Sequence, residues 1–333
     1  MIVHRLLFVA LASLLAAPGR AALAYEVTAT DRQQVIEQTA ALIETRYVFA
    51  DRGRALAEQL RRDAETDKWR DLNDPKLFAE AVTHRLRELS EDGHLSLDYS
   101  EKALPEDDAA AEESYSAGEM ERWYGAHLNH GFEKIERLPG NVGYLDLRVF
   151  APPDMAGDVA AAAMTLLAQS GALIVDLRQN GGGDGAMANL IAAYLLDDSR
   201  ETSGSYNRPQ DKHTRSTTPA WVPGRRYGAQ KPVYILISNK TFSAAEGFAY
   251  DLQALGRAVI VGERSGGGAH PFEYRRVHPH FVLSLAEGRS INPITGGNWQ
   301  GTGVTPDVPV PAGEALDEAL ELARKATGLS ARR

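Results

Sequence analysis

The chain of 333 residues contains no cysteine, which excludes disulfides, thiol catalysis and thiolate metal sites. None of its nine histidines forms a pair with the spacing of a helical zinc motif, and no metal or other cofactor is expected. Excess positive charge is also missing. The formal net charge is −9, and it becomes −11 once residues 1–24, with Arg5 and Arg20, are set aside. That balance argues against nucleic acid and anionic membrane as partners. After the N-terminus no apolar run is long enough to span a bilayer, so no membrane span is expected.

The N-terminus itself carries Arg5 followed by an apolar block from Leu6 to Ala17. This block is too short for a membrane span and suits a signal peptide, with Ala22-Leu23-Ala24 as the small-x-small cleavage pattern. The expectation is an exported protein, periplasmic or secreted, whose mature chain starts at Tyr25. The 309 residues that remain suffice for one large domain and a smaller one.

Residues 25–100 read as a small helical domain. Val35, Ile36, Ala40, Leu42, Ile43 and Tyr47 keep a helical stripe, a second helix covers about 53–65, and Asp74-Pro75 opens a third. Residues 101–140 are expected to be an acidic linker or loop, since 101–125 are rich in alanine, glutamate and aspartate. From 141 to 333 apolar strands alternate with helical stretches, the pattern of an α/β core. Residues 199–230 read as a polar loop able to cover a cleft.

Two turns in that core have chemical potential. Val233–Ile237 is an apolar strand, and a helix begins just after Ser243. A serine at such a turn is either an ordinary N-cap or a nucleophile at the positive end of a helix dipole, with the Ala244 N–H facing an oxyanion. Asn180-Gly181-Gly182-Gly183 follows the strand 172–178. It is either a plain tight turn or a collection of N–H groups around a negative oxygen. It matches neither the dinucleotide fingerprint nor the lysine-bearing phosphate loop. For a general base, His94 stands after Asp92-Gly93, and His270, His278 and His280 cluster after Gly266-Gly267-Gly268.

Asp176-Leu177-Arg178-Gln179-Asn180-Gly181-Gly182-Gly183, Thr241-Phe242-Ser243-Ala244-Ala245-Glu246, Val261-Gly262-Glu263-Arg264-Ser265-Gly266-Gly267 and Asn298-Trp299-Gln300-Gly301-Thr302-Gly303-Val304 together resemble the motifs of the tail-specific (C-terminal processing) serine peptidases. The resemblance covers about residues 85–325. It implies a Clp-protease/crotonase-like core preceded by a small helical domain. It also implies Ser243 as nucleophile, an oxyanion hole from Ala244 with Gly181 or Gly182, and a peptide or protein substrate. The lysine base of the bacterial processing peptidases is absent, its position falling at Gly268, and residues 101–140 are too few for their PDZ domain. The sequence is therefore more similar to the branch holding the tricorn protease core and the interphotoreceptor retinoid-binding protein modules. Within that branch His94 would be the base, and Gln300 would stand where a carboxylate orients it. The retinoid-binding relatives leave a second expectation, a binding protein for an apolar small molecule on the same fold.

Overall fold

The computed structural model describes residues 25–328, so the expected signal peptide lies outside the described residues. Helices α1 (Ala29–Arg46), α2 (Ala50–Glu65) and α3 (Pro75–Ser90) come first. The first and third have a local reason to start or stop. Thr28 and Asp31 form a capping box on α1, Asp74 caps α3 ahead of Pro75, and Glu91 ends α3 in the left-handed region. Strand β1 (Ser96–Tyr99) follows, then helix α4 (Asp108–Tyr124).

The acidic segment is thus a helix and not a linker. Its alanine and glutamate are strong helix formers, and Asp107 caps it by accepting from the Ala110 N–H at 2.9 Å. Leu104 and Ala111 anchor this region on Val282 and Tyr274.

The core continues with β2 (Phe132–Leu138), β3 (Val142–Leu147), α5 (Pro153–Leu167), β4 (Ala172–Asp176) and α6 (Gly185–Tyr194). Then come β5 (Glu201–Asn207), β6 (Lys212–Thr217), β7 (Val233–Ile237), α7 (Ala244–Ala254) and β8 (Val259–Gly262). The chain ends with β9 (Phe272–His278), β10 (Phe281–Ala286), β11 (Gly288–Ile291), β12 (Val308–Pro309) and α8 (Ala315–Thr327). A six-stranded sheet runs β12-β8-β7-β4-β3-β2, parallel except for the β2–β3 pair. Every residue of β3, β4 and β7 is buried, as expected for strands covered on both faces. Helices α5, α6 and α7 pack on one face and α8 on the other.

The two expected domains share structure. Strand β1, just after the helical domain, pairs with β10, which pairs with β9. Phe281, Leu283 and Leu285 of β10 lie in one core with Ile43, Leu60, Phe78 and Leu86 of the helices. His94, between α3 and β1, is therefore carried by a framework that both halves of the chain build. The expected polar loop at 199–230 begins as the hairpin β5–β6, which pairs with β11. No helix among the described residues is long and apolar enough to cross a membrane.

Candidate active site

The site lies beyond the carboxyl ends of β4, β7 and β8, where ligands collect in parallel α/β sheets. The turns after β4 and β7 are tied together. The Phe242 N–H donates to the Asn180 carbonyl at 3.1 Å, and the Thr241 hydroxyl to the Leu177 carbonyl at 2.7 Å. Ser243 sits in this junction with φ +55° and ψ −122°. That backbone conformation is rare for a residue with a Cβ, and it matches a strand-to-helix elbow that lifts a hydroxyl clear of the sheet.

Glu246 holds the elbow in place. One carboxylate oxygen accepts from the N–H groups of Ser243 and Gly268, each at 2.8 Å, and the other from the Ser265 hydroxyl and Gly267 N–H, each at 2.6 Å. Burial pushes its carboxyl above the ordinary value, and the four donors oppose that push.

The nucleophile and base candidates meet. Ser243 Oγ lies 3.0 Å from His94 Nε2. His94 is reached through a short turn after α3, in which the Asp92 carboxylate accepts the His94 N–H at 3.0 Å. The Phe242 ring lies against the imidazole with centroids 4.8 Å apart. Three close glycines make room for that ring. A Cβ at Gly93 or Gly266 would come within 2.8 or 2.9 Å of it, and one at Gly268 within 2.1 Å. Gly268 is the position at which the sequence resemblance puts the lysine of the processing peptidases. Here the aromatic ring beside His94 fills the space that such a side chain would need.

Gln300 is placed differently from its expected role. Its side-chain oxygen accepts the Ala269 N–H at 2.7 Å, while His94 Nδ1 is buried without a hydrogen-bond partner. The glutamine therefore braces the segment after the glycine turn and does not orient His94. The expected oxyanion donors need one revision too. The Gly182 N–H donates to Asn180 Oδ1 at 2.8 Å, so it is already engaged. Gly182 serves by being small: with φ +113°, a Cβ there would sit 2.8 Å from Ser243 Cβ. Ala244 and Gly183 line the cleft at Ser243, and Gly181 is exposed beside them.

The cleft has a volume of ≈ 720 Å³. Ala188, Ala192 and Phe248 give it an apolar part, and Asn189, Thr202 and Ser216 a polar one. The β5–β6 hairpin lines one side, as the expected covering loop would, but none of the described residues of 101–125 is in the lining. No group of three or more metal-ligating side chains occurs among the described residues.

Burial is the main influence on His94. It lowers the imidazole to about 4, with Asp92 opposing and His270 and Arg87 reinforcing. A base must be unprotonated to accept the Ser243 proton, and protonation sets in only as pH falls below the pKa. The rate of Ser243 modification should therefore hold through pH 6.5 and fall with a midpoint near pH 4. A fluorophosphonate labelling rate measured from pH 3.5 to 8 checks this.

The residues that local sequence motifs did not single out are Tyr47, Asp92 and Glu246 as a clamp; His270 stood only among the alternative bases, and the structure places it on Asp92 instead. Asp92 stood within the quoted Asp92-Gly93-His94 run, but only its contacts give it a place in the site.

Comparison with known proteins agrees with this architecture. Residues 141–310 match the model of peptidase family S41, and residues 22–123 match the N-terminal domain of that family found in eukaryotic IRBP. The chain belongs to peptidase family S41, with an N-terminal helical domain of the IRBP type. It is 30% identical over 142 residues to the chloroplastic carboxyl-terminal-processing peptidase 1 of Arabidopsis thaliana, a stretch covering 42% of this chain and 28% of that relative's length. Its fold resembles a lipoprotein from Streptococcus agalactiae (17% identity, TM-score 0.60, 89% of this chain and 96% of the other). The photosystem II D1 C-terminal processing protease is also similar (15%, 0.52, 90% and 98%), as is the tricorn protease (12%, 0.53, 90% and 37%). The core is accordingly of the Clp-protease/crotonase type.

Proposed function

We propose that the chain is a serine peptidase that hydrolyses peptide bonds with Ser243 as nucleophile and His94 as general base. The observation that carries this reading is the 3.0 Å contact between Ser243 Oγ and His94 Nε2 at the N-terminus of α7. In the first half-reaction Ser243 Oγ attacks the scissile carbonyl carbon while His94 Nε2 takes the hydroxyl proton. The carbonyl oxygen becomes an oxyanion, and this reading gives its stabilisation to the Ala244 N–H and to the glycine turn apart from the engaged Gly182 N–H. Collapse breaks the C–N bond, and the proton on Nε2 passes to the departing amine. Water then attacks the Ser243 ester, giving its proton to Nε2, and that proton returns to Ser243 Oγ as the acid product leaves.

A carrier for an apolar small molecule would be favoured by a closed apolar cavity and separated Ser and His side chains. The cleft here is part polar, and the two side chains touch. Labelling with a fluorophosphonate probe tests the peptidase reading. The wild-type chain should be labelled and Ser243→Ala should not; equal labelling of the variant would overturn the mechanism.

A further inference from the structure

For His94 Nε2 to accept the Ser243 proton, the neutral ring must carry its other hydrogen on Nδ1. That N–H is buried and makes no hydrogen bond. When the ring takes up the serine proton, a full positive charge forms in a site where burial already disfavours it. Gln300, at the position expected for an orienting group, is neutral and engaged with the Ala269 N–H.

A carboxylate is nonetheless present. Asp92 Oδ1 lies 3.8 Å from His94 Nδ1. This oxygen already accepts the His94 main-chain N–H, which fixes its place relative to the ring. The other oxygen, Oδ2, accepts from His270 Nδ1 at 2.6 Å and from the Tyr47 hydroxyl at 3.1 Å. Asp92 is 1% exposed, and an isolated carboxylate so deeply buried would be costly. Three donors from three parts of the chain hold it: Tyr47 at the end of α1, the His94 main chain after α3, and His270 just ahead of β9.

We propose that Asp92 is the positioning carboxylate of this site, closing on His94 Nδ1 when the imidazolium forms, and that Tyr47 and His270 hold it there. The inference rests on the serine–histidine reading above. Closing from 3.8 Å to hydrogen-bond distance takes a movement of about 1 Å, which a small rotation of the His94 ring about its Cβ–Cγ bond supplies. The charged and titratable groups facing the pair are Arg87, which adds positive potential at His94, His270 and Tyr47. Burial on its own would raise the Asp92 carboxyl, but the His270 bond and charge, together with His94, bring it below its ordinary value, so it is anionic when the base acts. The helical domain then contributes more than a support. Its Tyr47 reaches the charge that backs the base.

Asp92 also shapes the turn that carries His94, so loss of rate alone would not separate the two roles. The experiment is the pH dependence of fluorophosphonate labelling in Asp92→Asn and Tyr47→Phe, with folding followed by thermal melting. Asp92→Asn keeps a carbonyl for the His94 main-chain N–H but removes the charge. It should slow labelling at saturating probe on the order of 10²-fold or more and move the acid limb to lower pH. Tyr47→Phe leaves the turn bonds intact and frees a lone pair on Asp92, which should move the acid limb upward. If Asp92→Asn fails to fold, the Tyr47→Phe shift decides. An Asp92→Asn rate within about threefold of wild type, less than 1 kcal/mol in the barrier, with both acid limbs unmoved, overturns the proposal. Labelling of Ser243→Ala, by contrast, would overturn the serine–histidine reading itself.

Discussion

His94→Ala should lower the rate of Ser243 labelling, and of peptide hydrolysis, by about 10⁴-fold with little change in binding of the probe. General base catalysis supplies up to about that factor, and members of a nucleophile–base unit lose nearly all of the unit's effect when removed singly. The loss should fall on the chemical step, because His94 is buried beneath the cleft and contacts the nucleophile directly. Adding the lysine of the processing peptidases by Gly268→Lys should not rescue the variant. The new Cβ would lie 2.1 Å from Phe242 Cζ and 2.4 Å from Cε2, so the ring must leave its place before a lysine can enter. Rate constants at saturating probe for the single and double variants check both statements. A His94→Ala rate within tenfold of wild type would remove His94 from the role of base.

That steric exclusion explains why the branch of the family was legible in the sequence. Glycine at 268 and histidine at 94 are two sides of one arrangement, linked by Phe242, and each stands in a short motif readable by itself. Ser243 and the glycine turn were legible for the same reason, since a strand, a turn and a helix start are local events. The Asp92–His270 contact was not. It joins residues 178 positions apart, and no periodicity or spacing records a contact made only by the fold. The partner of Gln300 was not legible either, because a motif fixes a backbone position but not the direction of a side chain. The hairpin β5–β6 escaped for another reason: β6 reads Lys-His-Thr-Arg-Ser-Thr and is exposed along most of its length, so it shows no apolar alternation. Helix α4 was not legible because acidic composition suggests a solvated linker while the alanine and glutamate in the same stretch favour a helix.

The second large effect should appear in stability. Glu246 is fully buried, with no exposed side-chain area, and faces four donors, two on each oxygen. Glu246→Ala leaves the N–H groups of Ser243, Gly267 and Gly268 and the Ser265 hydroxyl without their acceptor. At about 1–3 kcal/mol for each buried group left unpaired, offset where water enters the vacated space, the loss should reach about 4 kcal/mol. That is a large fraction of the stability of an ordinary domain. Urea unfolding should show it as a lower midpoint with an unchanged slope. Glu246→Gln should cost less, because the amide keeps one acceptor oxygen and the Ser265 hydroxyl can turn to accept from the new NH₂, though one glycine N–H then meets a donor. The order Ala worse than Gln worse than wild type follows from counting acceptors. A Glu246→Gln variant as stable as wild type would show that the elbow does not depend on this clamp. Because the same carboxylate holds the Ser243 N–H, labelling of Ser243 should fall in both variants even at temperatures where they remain folded.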